Sequence, residues 1–232
     1  MFLFSFYSTA FLMSSLTFGF HLILQQYNIE NRMFEKFSIN MMRSVICGTI
    51  ANEAYRNFHY IWLDKCLDNA NIIIKFKNFH YMFLSYFIFD TVILWYQVYL
   101  NIEKKIRLDL LFHHLLAITA LMIIDDKQMY GISLMIGLSE GMSLVSGPKL
   151  ITMHIGNKYL TNLFIIIRLL YLIFIRLLFI WPSIIYFYNN ITINCDKYKE
   201  DRNMILVISL ISIIIHAEIN WFHNGRKELT RI

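Results

Sequence analysis

From Met1 to Ile29 the chain carries no Asp, Glu, Lys or Arg, and the stretches 110–124, 177–195 and 203–215 are equally free of them. A soluble domain scatters its apolar residues on amphipathic faces, with about a quarter of all positions charged. Here 57% of the 232 residues are apolar and 16% are charged. The apolar residues come in blocks long enough to matter for a bilayer. A helix needs about 20 mostly apolar residues to cross the hydrocarbon, fewer where flanking side chains reach the interface. The blocks do not alternate in and out as barrel strands would. The expected fold is therefore all-α: a polytopic integral membrane helical bundle with about seven transmembrane helices around an interior lipid cavity.

The spans are expected near 3–25, 36–54, 79–99, 108–124, 129–147, 160–187 and 204–222. The first has no basic region before it and outruns a signal-peptide core, so it reads as a retained helix. The second carries Arg43, Asn52 and Glu53, and hydropathy alone leaves open that it lies on the membrane. Residues 55–78 form the one long connection, rich in aromatic and charged residues, and are expected to lie along the interface. The net charge of +5 does not indicate nucleic acid, because the basic residues sit mainly in short loops, where they record topology. Ten basic residues fall on the side of the C-terminus and eight on the other, which favours a cytosolic C-terminus. The sequon Asn190-Ile191-Thr192 then faces the opposite side. Cys47, Cys66 and Cys195 are far apart, with neither metal-ligand spacing nor a paired framework, and spacing assigns them no role. No metal is implied.

Ionisable groups inside such spans are costly and tend to face inward. Asp109 and His113 are four residues apart on the fourth span, so the carboxylate can orient the imidazole. His114 is turned about 100° further round the axis and must face a neighbouring seam or the same cavity. Two imidazoles at one depth can supply a base, an acid or a nucleophile. Equally, they can be packing histidines bonded to a serine or a carbonyl. Asp90 in YFIFDTVILWY and Glu140 in LMIGLSEGMSLVSGP either take part in that chemistry or clamp an arginine. Glu140 lies among Ser139, Ser143 and the glycines 137, 141 and 147, which permit close helix approach. Arg168 and Arg176 share a broad face of the sixth span and can pair with those carboxylates or bind an anionic headgroup or phosphate. For Arg176 the pairing is preferred. His216 and Glu218 read as interfacial, and the aromatic residues at 181, 186, 188, 221 and 222 as a belt.

The motifs occur in order: RMFEKFSINMMRSVICG at 32–48, YFIFD at 86–90, DLLFHH at 109–114, SEGMS at 139–143, an arginine-bearing span ending in Pro182, and INWF at 219–222. Together they resemble the TLC domain, the membrane domain shared by ceramide synthases, translocating chain-associated membrane proteins and smaller TLC-domain-containing proteins. The resemblance covers about 34–228, leaving 1–33 as an N-terminal transmembrane helix and connector and 229–232 as a short tail. In ceramide synthases the histidine pair is catalytic in N-acylation of a sphingoid base by an acyl coenzyme A. The resemblance thus implies His113 and His114 as the reactive pair, Asp109 as their neighbour, Asp90, Glu140, Ser143 and Arg168 as cavity residues, and acyl-CoA as a co-substrate. It also implies residence in the endoplasmic reticulum or a connected membrane. Glu140 stands where those enzymes carry a histidine-aspartate cluster, and this brings the chain closer to the small TLC-domain-containing proteins.

Two functions are carried forward. One is a lipid-modifying acyltransferase working within the membrane. The other is a non-catalytic protein that binds membrane lipids and adjusts their composition or traffic. A receptor or transporter fits less well, because neither inverted repeats nor a ligand-binding loop domain is visible.

Overall fold

The computed structural model describes residues 2–25, 31–63, 70–102 and 108–195, together with positions 203, 206, 207 and 210. Among the described residues the chain is entirely helical apart from short connections. Its elements are α1 (Phe2–Leu24), α2 (Asn31–Leu63), α3 (Ala70–Tyr99), α4 (Leu108–Asp126), α5 (Tyr130–Ser139), a 3₁₀ segment (Glu140–Val145), α6 (Ser146–Ile155), α7 (Lys158–Tyr171), a π-helical stretch (Leu172–Ile180) and α8 (Trp181–Asn194).

Three helices are long and apolar enough to cross a membrane: Leu3–Leu24, Ala70–Tyr99, and the continuous run Lys158–Asn190 built from α7, the π stretch and α8. The expected count of seven spans is not reached by this measure. The helix α2 is too polar, the segment expected at 129–147 changes winding at Glu140, and the segment expected at 204–222 lies almost wholly outside the described residues. Residues expected to form an interfacial loop at 55–78 are instead largely helical, because α2 runs on to Leu63 and α3 begins at Ala70. Pro182 does not break its helix. It sits in the first turn of α8, directly after the π stretch, where wider winding accommodates a residue with no N–H to donate.

The outside of the bundle is largely apolar, and the charged and polar side chains inside it sit within a mainly hydrophobic core, as hydrocarbon solvent requires. Phe4, Phe11, Trp95, Phe112, Met122, Phe174 and Leu178 are exposed, whereas Asp90, His113, His114, Glu140 and Arg176 are buried. Despite its charges α2 is packed into the bundle, with Phe37, Met42, Cys47, Ile50 and Ala54 buried, and it touches α1, α5, the 3₁₀ segment and α6.

Close approach at that seam depends on glycine. A Cβ at Gly141 would stand 2.9 Å from the Ala51 Cβ and would also collide with the Tyr171 ring. One at Gly147 would stand 2.8 Å from both the Asn40 carbonyl oxygen and Ser44 Oγ. The Ser44 hydroxyl then bridges the change of winding: it donates to the Ser143 carbonyl at 2.9 Å and accepts from the Gly147 N–H at 2.8 Å. Backbone groups that a regular helix would have paired are thereby satisfied from α2.

Candidate functional site: a buried histidine and carboxylate centre

Helical spacing puts pairs of polar residues on single faces that turn to one another. Arg43 and Cys47 share such a face on α2, and Tyr86 and Asp90 on α3, while α4 brings the adjacent His113 and His114, about 100° apart around its axis. Arg43 Nε lies 2.6 Å from Asp90 Oδ1, and its Nη2 donates to Gln97 Oε1 at 3.3 Å. The second oxygen of Asp90 lies 3.5 Å from His114 Nε2. On the other side of the same helix turn His113 Nε2 is 3.7 Å from Glu140 Oε1. The neighbouring histidines therefore face different carboxylates, one on α3 and one at the junction of α5 with the 3₁₀ segment. Their ring centroids are 5.8 Å apart, and the Phe87 ring meets both nearly edge-on at 5.8 and 5.4 Å.

His114 Nδ1 is 3.2 Å from Thr91 Oγ1, whose hydroxyl donates to the Phe87 carbonyl at 2.7 Å. The threonine oxygen thus anchors the ring through Nδ1. This fixes the ring and leaves Nε2 as the nitrogen that meets Asp90. Beside it the Cys47 thiol donates to Tyr86 Oη at 3.1 Å.

Asp109 was the carboxylate expected beside the pair. Its side chain lies outside the described residues, as do His216, Glu218 and the terminal INWF motif. Asp90 and Glu140 are in place as the carboxylates that meet the two imidazoles. The arginine that clamps Asp90 is Arg43 of α2, not one from the sixth span. Arg176 meets a carbonyl: its Nε and Nη2 donate to the Ser139 oxygen at 3.2 and 3.1 Å. Tyr171 Oη bonds the neighbouring Leu138 carbonyl. These carbonyls end α5, where a cation and a donor complement the negative end of the helix dipole. Ser143 is half-buried and joins the seam through its carbonyl, and Arg168 is half-buried in the last turn of α7.

Two features escaped the reading of the sequence. Cys195 is disulfide-bonded, so the cysteines are not without a pairing, whereas Cys47 is a free thiol. Chain spacing could not show this, since the bond joins parts brought together by the fold. A second polar cluster joins His80 to Ser133, Nδ1 to Oγ at 2.7 Å, with Asp125 accepting from Tyr130 at 2.9 Å and Tyr81 at 3.4 Å nearby. The dispersed polar positions 80, 125, 130 and 133 were its only sequence signal.

Imidazoles held against carboxylates can accept and return a proton. Cavities of about 490 and 520 Å³ open along α1–α3 and α2–α3, and neither is lined by the histidine pair. The chain matches no protein-family model, no curated protein and no solved structure.

Proposed function

We propose that this is a multi-pass membrane protein of the TLC type that acts on membrane lipids, transferring an acyl group with His113 and His114 as its acid–base pair. The observation that carries the reading is the placement of each histidine against its own carboxylate, Glu140 and Asp90, in a centre formed by α2–α5. Acyl transfer to an amine or hydroxyl needs a base to remove the nucleophile's proton and an acid for the leaving group. One histidine takes the first role and its neighbour the second, with acyl-CoA as the acyl donor. A seven-span arrangement around a lipid cavity, in the endoplasmic reticulum or a connected membrane with a cytosolic C-terminus, belongs to the same proposal.

One observation favours a second reading, in which the protein binds lipid and adjusts membrane composition without chemistry. Asp90 is already joined to Arg43, and both histidines are almost fully buried, at 5% and 2% exposure. Those contacts serve equally well to hold four helices in register.

Whole-lipid mass spectrometry of cells expressing the wild type or the H113A/H114A variant at matched levels separates the readings. Acyl transfer predicts a lipid class that rises with the wild type alone. Equal changes with both proteins would leave binding without chemistry.

A further inference from the structure

The cavity of about 490 Å³ between α1, α2 and α3 has the shape and chemistry of a site for one membrane lipid. Its volume falls in the range of small-molecule sites. The wall along α3 and its last turn runs from Phe89 to Leu100, eleven steps, and at 1.5 Å per step this is about 16 Å. One leaflet of hydrocarbon is about 15 Å deep. Phe18 of α1, Ile39 of α2 and Phe89 and Ile93 of α3 make the groove apolar, as an acyl chain requires. The groove lies where α1 and α3 end and α2 begins, so it opens at one membrane face.

The polar residues collect at that end. Glu35 lines the cavity beside His21, whose ring packs against Phe34 with centroids 5.6 Å apart. Glu35 is half-buried and, among the described residues, has neither an ion-pair nor a hydrogen-bond partner. A carboxylate at the mouth of an apolar groove repels anionic headgroups and favours a cation. A primary ammonium suits it best, because its three N–H donors can serve the Glu35 oxygens and an acceptor nitrogen of His21 together. A quaternary ammonium offers no such donor.

We propose that this groove holds a phospholipid with a primary ammonium headgroup, its acyl chain along α3 and its ammonium on Glu35. The site is separate from the histidine centre and does not rest on acyl transfer.

The full chain, purified in detergent and mixed with equal amounts of phosphatidylethanolamine, phosphatidylcholine and phosphatidylglycerol, tests this by native mass spectrometry. The wild type is expected to retain the ethanolamine lipid at least fivefold over each of the others. Glu35→Gln should abolish that preference while still retaining lipid. Thr17→Trp fills the groove and should reduce all bound lipid; its hydroxyl bonds only within α1, to the Met13 carbonyl. Ser14→Phe, on the exposed rim, repeats the block should Thr17→Trp fail to fold. Equal retention of the three lipids by the wild type, persistence of the preference in Glu35→Gln, or undiminished binding in a folded groove-filling variant would each overturn the proposal.

Discussion

Arg43 and Asp90, 47 positions apart in sequence, meet at 2.6 Å between α2 and α3, with side-chain exposures of 14% and 2%. This contact explains how so polar a helix as α2 can occupy the interior of a bundle whose outside is apolar. The guanidinium also reaches Gln97, so two residues about two turns apart on α3 hold one on α2.

Removing one partner of a buried ion pair leaves the other charged and unsatisfied, at a cost of about 3–5 kcal/mol. Arg43→Met is accordingly expected to lower the unfolding midpoint in detergent strongly. The double variant Arg43→Met/Asp90→Leu should be the more stable of the two, because no charge is stranded. Denaturant titration by circular dichroism in micelles reads the difference.

At Gly147 an added methyl would press on the Asn40 carbonyl and on Ser44, whereas at Gly19 nothing lies within 4 Å. Gly147→Ala should destabilise by about 1–3 kcal/mol through overpacking. Gly19→Ala should leave stability unchanged or raise it by up to about 1 kcal/mol, the helix-propensity gain. Thermal unfolding of the two variants side by side tests the contrast.

Arg176→Leu removes both donors from the Ser139 carbonyl at the end of α5 and should loosen the junction that carries Glu140. A buried hydrogen bond to a charged group contributes about 1.5–3 kcal/mol. Faster amide exchange over 138–145 in the variant than in the wild type is the expected reading, with α1 unaffected.

The disulfide at Cys195 makes a chemical prediction. In the denatured chain, alkylation should add one label before reduction and three after it, since the chain has three cysteines and Cys47 is free. Disulfides persist on the oxidising side of cellular membranes. In sealed vesicles, reduction by an impermeant phosphine should therefore expose Cys195 only when the end of α8 faces outward, and the orientation of the vesicles decides the result.

Long apolar blocks made α1, most of α3 and the run from α7 to α8 legible, because hydrophobic length is a local property of the chain. The polarity of α2 left two readings open; its contact through Arg43 with Asp90 packs it against α3, a contact that hydropathy does not register. Similarly, i,i+4 spacing makes Asp109 visible as a neighbour of His113 within one helix, whereas the approach of Asp90 to His114 and of Glu140 to His113 spans helices. Nothing in the spacing of residues encodes such contacts. Arg176 could be read as inward-facing, but its hydrogen bonds to the Ser139 carbonyl depend on a change in winding that hydropathy does not register.

The two hydrogen bonds of the Ser44 hydroxyl have a mechanical consequence. Because one hydroxyl both gives to Ser143 and receives from Gly147, sliding α2 by a single residue against α6 would break both links at once. The two helices are thus geared together at this junction, and any motion that parts α2 from the start of α6 must give up two hydrogen bonds together.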